Sequence, residues 1–97
     1  MFISVRRYSS VRSVNEVFRK IQSGFVPLLE GSPGFIAYYA IDGGNGTMAT
    51  ISMFSSEEMA LESNEKAARW LQENVADLQP EPPEITSGKV KVSAEAK

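Results

Sequence analysis

Residues 33–54 read PGFIAYYAIDGGNGTMATISMF, and the fold turns on this stretch. Two runs of β-forming residues flank DGGNG (42–46), a cluster whose residues accept positive φ and so supply a hairpin loop. In the first run Phe35, Ala37, Tyr39 and Ile41 alternate with Ile36, Tyr38 and Ala40. In the second, Ala49, Ile51 and Met53 alternate with Met48 and Phe54. A hairpin that keeps one face for water alternates apolar with polar residues. Neither face reads as polar here, so the pattern predicts that both are covered.

Working outward, Ser55 and Glu58 have capping-box spacing, and Phe54 with Met59 has that of a hydrophobic staple. A helix follows in which Ala60, Leu61, Asn64, Ala67, Ala68, Leu71, Val75 and Leu78 share one broad face. It is expected to end near Leu78, before the proline-rich connector QPEPPE (79–84). A last strand is expected around ITSGKVKV (85–92), with Gly88 as the place for a bulge. Upstream of the hairpin, Ser13 and Glu16 form a second capping pair. Val14, Val17, Phe18, Ile21, Phe25, Leu28 and Leu29 then follow at helical spacing. Pro27 deletes the bond to the Ser23 carbonyl and should kink this helix; Gly31 and Pro33 stop it. FISVRRY (2–8) is a first strand, with Ile3 and Val5 on one face and Phe2, Ser4 and Tyr8 on the other. Residues 93–97 read as a flexible tail behind a single domain, residues 1–92.

The order is β-α-β-β-α-β, the ferredoxin-like split βαβ arrangement. It predicts an α+β fold: one four-stranded antiparallel sheet with two helices on one face. Two helices cover one side of such a sheet and no more. The other side would leave a contiguous apolar patch, which on a soluble protein usually marks an interface. A second copy packed sheet against sheet is the economical cover. The expected partner is therefore the chain itself, as a homodimer.

Composition narrows the chemistry. The 97 residues contain no cysteine and no histidine. The first absence removes disulfides and thiolate chemistry. The second removes the commonest general base, zinc ligand and proximal haem ligand. A net charge of −2 and a pI near 5.1 argue against nucleic acid or an anionic membrane as partner. An RNA-recognition module shares this element order, but its third strand carries basic and aromatic residues, and MATISMF does not. No apolar run is long enough to span a bilayer. The opening MFISVRRYSSVRS is rich in Arg and Ser, as transit peptides are, yet the sheet needs it as its first strand. A cytoplasmic protein is the expectation.

The chain resembles the dimeric α/β-barrel proteins, and among them the antibiotic-biosynthesis-monooxygenase-like group. The residues that carry this are PGFIAYYAI, MATISMF running into SSEEMALESNEKAARWL, the proline-rich link, and EITSGKVKV, together spanning about residues 2–92. The resemblance implies a dimeric barrel of two facing sheets and a ligand cavity between sheet and helices in each subunit. The haem-degrading branch of that group uses a histidine on iron, which this chain lacks. The cofactor-independent branch oxidises phenols and quinols with dioxygen and uses no metal or flavin. It implies a monooxygenase-like oxidoreductase with no cofactor, acting on a small apolar or aromatic compound.

Asn64, an amide on an apolar helix face, is the candidate catalytic residue. The resemblance gives such an Asn the role of holding an oxyanion or dioxygen beside a hydroxylated aromatic. In some members that Asn stands on the first strand, where this chain has Ser4. Tyr38, Tyr39, Trp70 and Phe54 are the candidate substrate-binding residues, and no metal-binding residue is expected. Glu62 and Glu65 lie near Asn64 but read as solvated, so no residue stands out as a general base. Arg6 and Arg7 point to opposite faces of the first strand; one turned into a buried barrel needs a carboxylate or a ligand anion, and otherwise it is a rim charge, the reading favoured for both. The alternative reading is a non-catalytic ligand-binding or structural dimer on the same fold.

Overall fold

The structure, a computed structural model, describes residues 1–78 and 81–96. FISVRRY forms β1 (Phe2–Tyr8). The hairpin supplies β2 (Phe35–Gly44) and β3 (Thr47–Phe54), and β4 runs Glu84–Lys89. All pairings are antiparallel, in the order β2-β3-β1-β4. Gln79 and Pro80 of the expected connector, and Lys97 of the expected tail, lie outside the described residues. No helix among those described is long and apolar enough to cross a membrane.

The first helix runs through three consecutive pieces: α-helical Val14–Lys20, a π-helical turn Ile21–Phe25, and α-helical Val26–Glu30. In place of a simple kink, the ladder changes step just ahead of Pro27. The Val26 N–H bonds the Ile21 carbonyl, five residues back. Pro27 has no N–H, and its ring would press on the carbonyl four residues earlier; the wider turn precedes that position. Ser13 is the N-cap, but its side chain makes no capping hydrogen bond, so the expected box is absent there. The second helix, Glu57–Asn74, is capped one residue later than the sequence suggests. The Ser56 hydroxyl, not that of Ser55, accepts from the Met59 N–H at 3.3 Å. The helix ends at Asn74, and a turn carries the chain on to Leu78, whose N–H reaches the Val75 carbonyl.

Both helices pack on the sheet face that carries Phe2, Tyr8, Met48 and Phe54, and Val17, Ile21, Phe25, Leu29, Ala60 and Ala67 complete this core. Val14, Phe18 and Leu71 pack against it from partly buried positions. Leu28, Leu61 and Ala68 are exposed, so both apolar helix faces are narrower than their periodicity predicts. The β2–β3 pairing shifts register twice, between Phe35 and Ala37 and again between Asp42 and Gly44 beside the hairpin loop. The first shift, a bulge at Ile36, changes which side chains face the helices. Phe35 thereby joins the helix side, meeting Phe54 edge-on at 5.8 Å, while Ala37, Tyr39 and Ile41 face away. An extra residue in one strand has this effect because side chains alternate with period two. Gly88 makes no bulge; β4 keeps its register through it.

Candidate functional site

A sheet face lying under helices should be apolar. This one is crossed by a polar band. Strand register sets Ser87, Ser4, Ser52 and Tyr38 in one row across all four strands, and Ile85, Arg6, Thr50 and Ala40 in another. Ser4, Arg6, Thr50 and Ser52 are buried, as is Ser63 on the second helix. Burying such groups is costly unless they find partners. The Ser87 hydroxyl donates to Ser4 Oγ at 3.0 Å. Among the described residues no fully buried side-chain nitrogen or oxygen lacks a hydrogen bond.

The band borders a small cavity of about 20 Å³ between sheet and helices. Arg6, Tyr8, Tyr38, Thr50, Ser52 and Ser63 are its polar wall; Ile21, Phe25 and Leu29 of the first helix close it with Met48, Ala67 and Leu71. That volume holds about one water. Beside it, an open groove of about 910 Å³ separates the second helix from Glu81–Ile85, and Arg6, Tyr8 and Leu71 line both spaces. These three side chains are the partition between cavity and groove.

The phenols at the cavity are held in their neutral form. Burial pushes the Tyr38 pKa well above its ordinary value and nearby Tyr8 pushes it further, against a hydrogen bond with Thr50 and the charge of Arg6. Burial likewise raises Tyr8, again opposed by Arg6. Both phenols therefore offer O–H groups near neutral pH. No carboxylate or lysine lines the cavity. The arrangement can bind and polarise a ligand oxygen, but it holds no conventional proton acceptor.

The residues singled out from sequence are dispersed. Tyr38 lines the cavity and meets Phe25 edge-on at 5.6 Å. Asn64 borders the groove, half-buried, and not the cavity. Trp70 stacks at a tilt on Phe25, 5.4 Å between centroids, where it lies against Gly24 of the π turn. Tyr39 stands on the opposite sheet face, 57% exposed, and Phe54 is fully buried in the core against Phe35. Glu62 and Glu65 are exposed. Tyr8, Thr50, Ser52 and Ser63 were not singled out as site residues, and Arg6 was read as a rim charge, whereas it is buried in the cavity wall. Their signal was available in parity: Thr50 and Ser52 share a face with Met48 and Phe54, and Arg6 shares one with Phe2 and Tyr8.

No known family's sequence profile matches this chain, and no curated protein matches it. Solved structures do. The ActVA-Orf6 monooxygenase of Streptomyces coelicolor, solved with nanaomycin D, aligns at TM-score 0.79 and 14% identity, over 99% of this chain and 92% of that one. SnoaB, a cofactor-independent oxygenase from Streptomyces nogalater, aligns at 0.75 and 10%, over 95% and 94%. A Nitrosomonas europaea protein of unknown function aligns at 0.76 and 20%, over 99% and 94%. At these identities the likeness is one of fold.

Proposed function

We propose, for a chain with the fold of the antibiotic-biosynthesis-monooxygenase-like proteins, a homodimer that oxidises a small phenolic or quinol-like compound with dioxygen and no cofactor. The observation that carries this is the buried polar band of Arg6, Thr50, Ser52, Ser63 and two neutral phenols around a cavity. Structural economy would place apolar side chains there. Donors fixed around one cavity suit a developing oxyanion, and a substrate acidic enough to ionise near neutral pH reduces the need for a base. In the balanced reaction an anthrone CH₂ and O₂ give the ketone and water. Small-molecule sites measure about 300–1,000 Å³, so the ligand is expected to displace Leu71 and use cavity and groove together. Asn64 then reaches the ligand from the groove side, and Tyr38 from the sheet. Trp70 supports Phe25 from behind, as Phe54 supports Phe35.

The partner in this reading is a second copy. The sheet face without helices carries Ile3, Val5, Ala37, Tyr39, Ile41, Ala49, Ile51 and Met53, with Val5, Tyr39 and Ile41 the most exposed of its larger apolar side chains. Covering it twice over would bury more than about 2,000 Å² in total, the range of obligate dimers. A sedimentation run that finds only monomer at micromolar concentration removes the dimer. Residues 1–92 act as one domain with 93–97 as a tail, and the protein works in the cytoplasm.

Oxygen uptake with a panel of quinols and anthrones tests the chemistry, comparing wild type with Asn64→Ala and Tyr38→Phe. Turnover that falls in either variant is the expected outcome. The competing reading, a non-catalytic dimer, draws on the small volume of the cavity as it stands. It is selected if no compound is oxidised and none raises the melting temperature.

A further inference from the structure

Arg6 and Arg7 are neighbours in sequence with opposite fates. Arg7 points to the face without helices, where its guanidinium lies 3.7 Å from the Glu84 carboxylate, both exposed. Arg6 points under the helices and is 8% exposed. Among the described residues it belongs to neither ion pair, these being Arg7–Glu84 and Lys20–Glu16. The positions facing it across the sheet are Thr50 on β3 and Ile85 on β4. Tyr8 and Tyr38 share the cavity wall with it, and Ser63, Ala67 and Leu71 close the wall from the second helix. None of these carries negative charge at neutral pH. Glu65 and Glu81 border the groove that Arg6 also touches, but both are exposed and neither is paired with it. A guanidinium cannot escape burial by losing its proton, and an uncompensated buried charge costs several kcal/mol. Leu or Met would fill the same place without that cost.

We propose that Arg6 makes the cavity an anion site, taking a planar aromatic compound through an acidic hydroxyl that is ionised at neutral pH. The inference rests on the reading of this cavity as a small-molecule site and assigns recognition of the ligand's charge to Arg6. The ring lies among Phe25, Leu29 and Leu71, and the anionic oxygen meets the guanidinium at the partition between cavity and groove. Thr50 and the O–H groups of Tyr8 and Tyr38 supply further donors. A guanidinium matches such an oxygen with several N–H groups in a fixed plane. Arg6 is thus a specificity residue, and it supplies a positive charge where the site holds no base.

Calorimetric titration at pH 7 tests this with two probes of one ring system: 2-hydroxy-1,4-naphthoquinone, an anion at that pH, and its neutral 2-methoxy ether. Wild type is expected to prefer the anion by about ten- to a hundredfold, the worth of a charge-assisted hydrogen bond. Arg6→Met should abolish the preference, weakening binding of the anion by about ten- to a hundredfold more than that of the ether. It should also fold with equal or greater stability, because replacing an unpaired buried charge with an apolar side chain relieves it. Arg6→Lys should keep part of the preference. Equal binding of the two probes to wild type, failure of both to bind, or a preference that survives Arg6→Met would each overturn the proposal. An Arg6-dependent preference without oxygen uptake would retain the anion site and remove the oxygenase reading. Turnover without any preference for the anion would do the reverse.

Discussion

Leu28 and Leu29 are adjacent, chemically identical, and equally eligible for the apolar stripe of the first helix, yet one is 49% exposed and the other 2%. Truncating each to Ala separates burial from composition. For Leu29 the transfer cost is about 2.4 kcal/mol, from three carbon groups at about 0.8 each. Leu29 also lines the existing cavity, so the space it vacates joins a void and cannot close fully. A residual hole of about 50 Å³ adds about 1.2 kcal/mol, for a total near 3.5. In a domain of this length each kcal/mol moves the melting temperature by about 4–8 °C, so Leu29→Ala should melt about 14–28 °C below wild type. Leu28→Ala loses about half the transfer cost and opens no cavity, giving about 1 kcal/mol or less. Urea titrations of the three proteins at one fixed concentration measure the difference without interference from association. Losses within about 0.5 kcal/mol of each other would refute the packing described for this helix, including the wall it gives the cavity.

Alkaline pH addresses the two phenols. Tyr8 and Tyr38 have pKa values raised on folding, so above pH 10 the unfolded chain releases protons that the folded one retains. Stability should stay level below about pH 9, then fall by up to about 1.4 kcal/mol per pH unit for each phenol. Tyr38→Phe should remove one share of that slope in urea titrations at pH 8 and pH 11; an unchanged slope would place Tyr38 in contact with solvent. Gly34 has φ +74°, and a Cβ there would come within 2.1 Å of Met59 Sδ and 2.7 Å of Ser55 Oγ. Gly34→Ala should therefore cost about 1–3 kcal/mol, and a denaturant midpoint equal to wild type would contradict this.

Much of the fold was legible because its signals are local and repeated. The DGGNG loop, the Ser-rich helix start after Phe54 and the 3.6-residue periodicities each name an element, and their order leaves few topologies. What escaped depends on single-residue offsets. Ser55 and Ser56 are equally good caps by composition, and only the path of the chain leaving β3 selects the second. One extra residue at Ile36 reverses the side that Phe35 faces, and nothing in FIAYYAI marks it. The π turn is equally silent, since Pro27 signals that the ladder must change but not how. The site was harder than the fold. Tyr38 was found because aromatics attract attention, whereas Ser63 resembles the alanines around it. Thr50 and Ser52 sit in a run whose apolar alternates dominate the eye. Parity would have assigned Arg6 inward and Arg7 outward from FISVRRY alone, given that Phe2 and Tyr8 face the helices.

The π turn has a consequence for chain length. Each bond that reaches back five residues encloses one residue more than an α-helical bond does. The first helix therefore holds a surplus residue between Ile21 and Phe25, beside the face that closes the cavity. A chain one residue shorter here would have no surplus to absorb, although Pro27 would still leave one α-helical bond unmade. Shortening would move Phe25 and Gly24 relative to Trp70, on which both are now seated. The reach of the cavity wall thus depends on the number of residues in this turn as well as on their side chains.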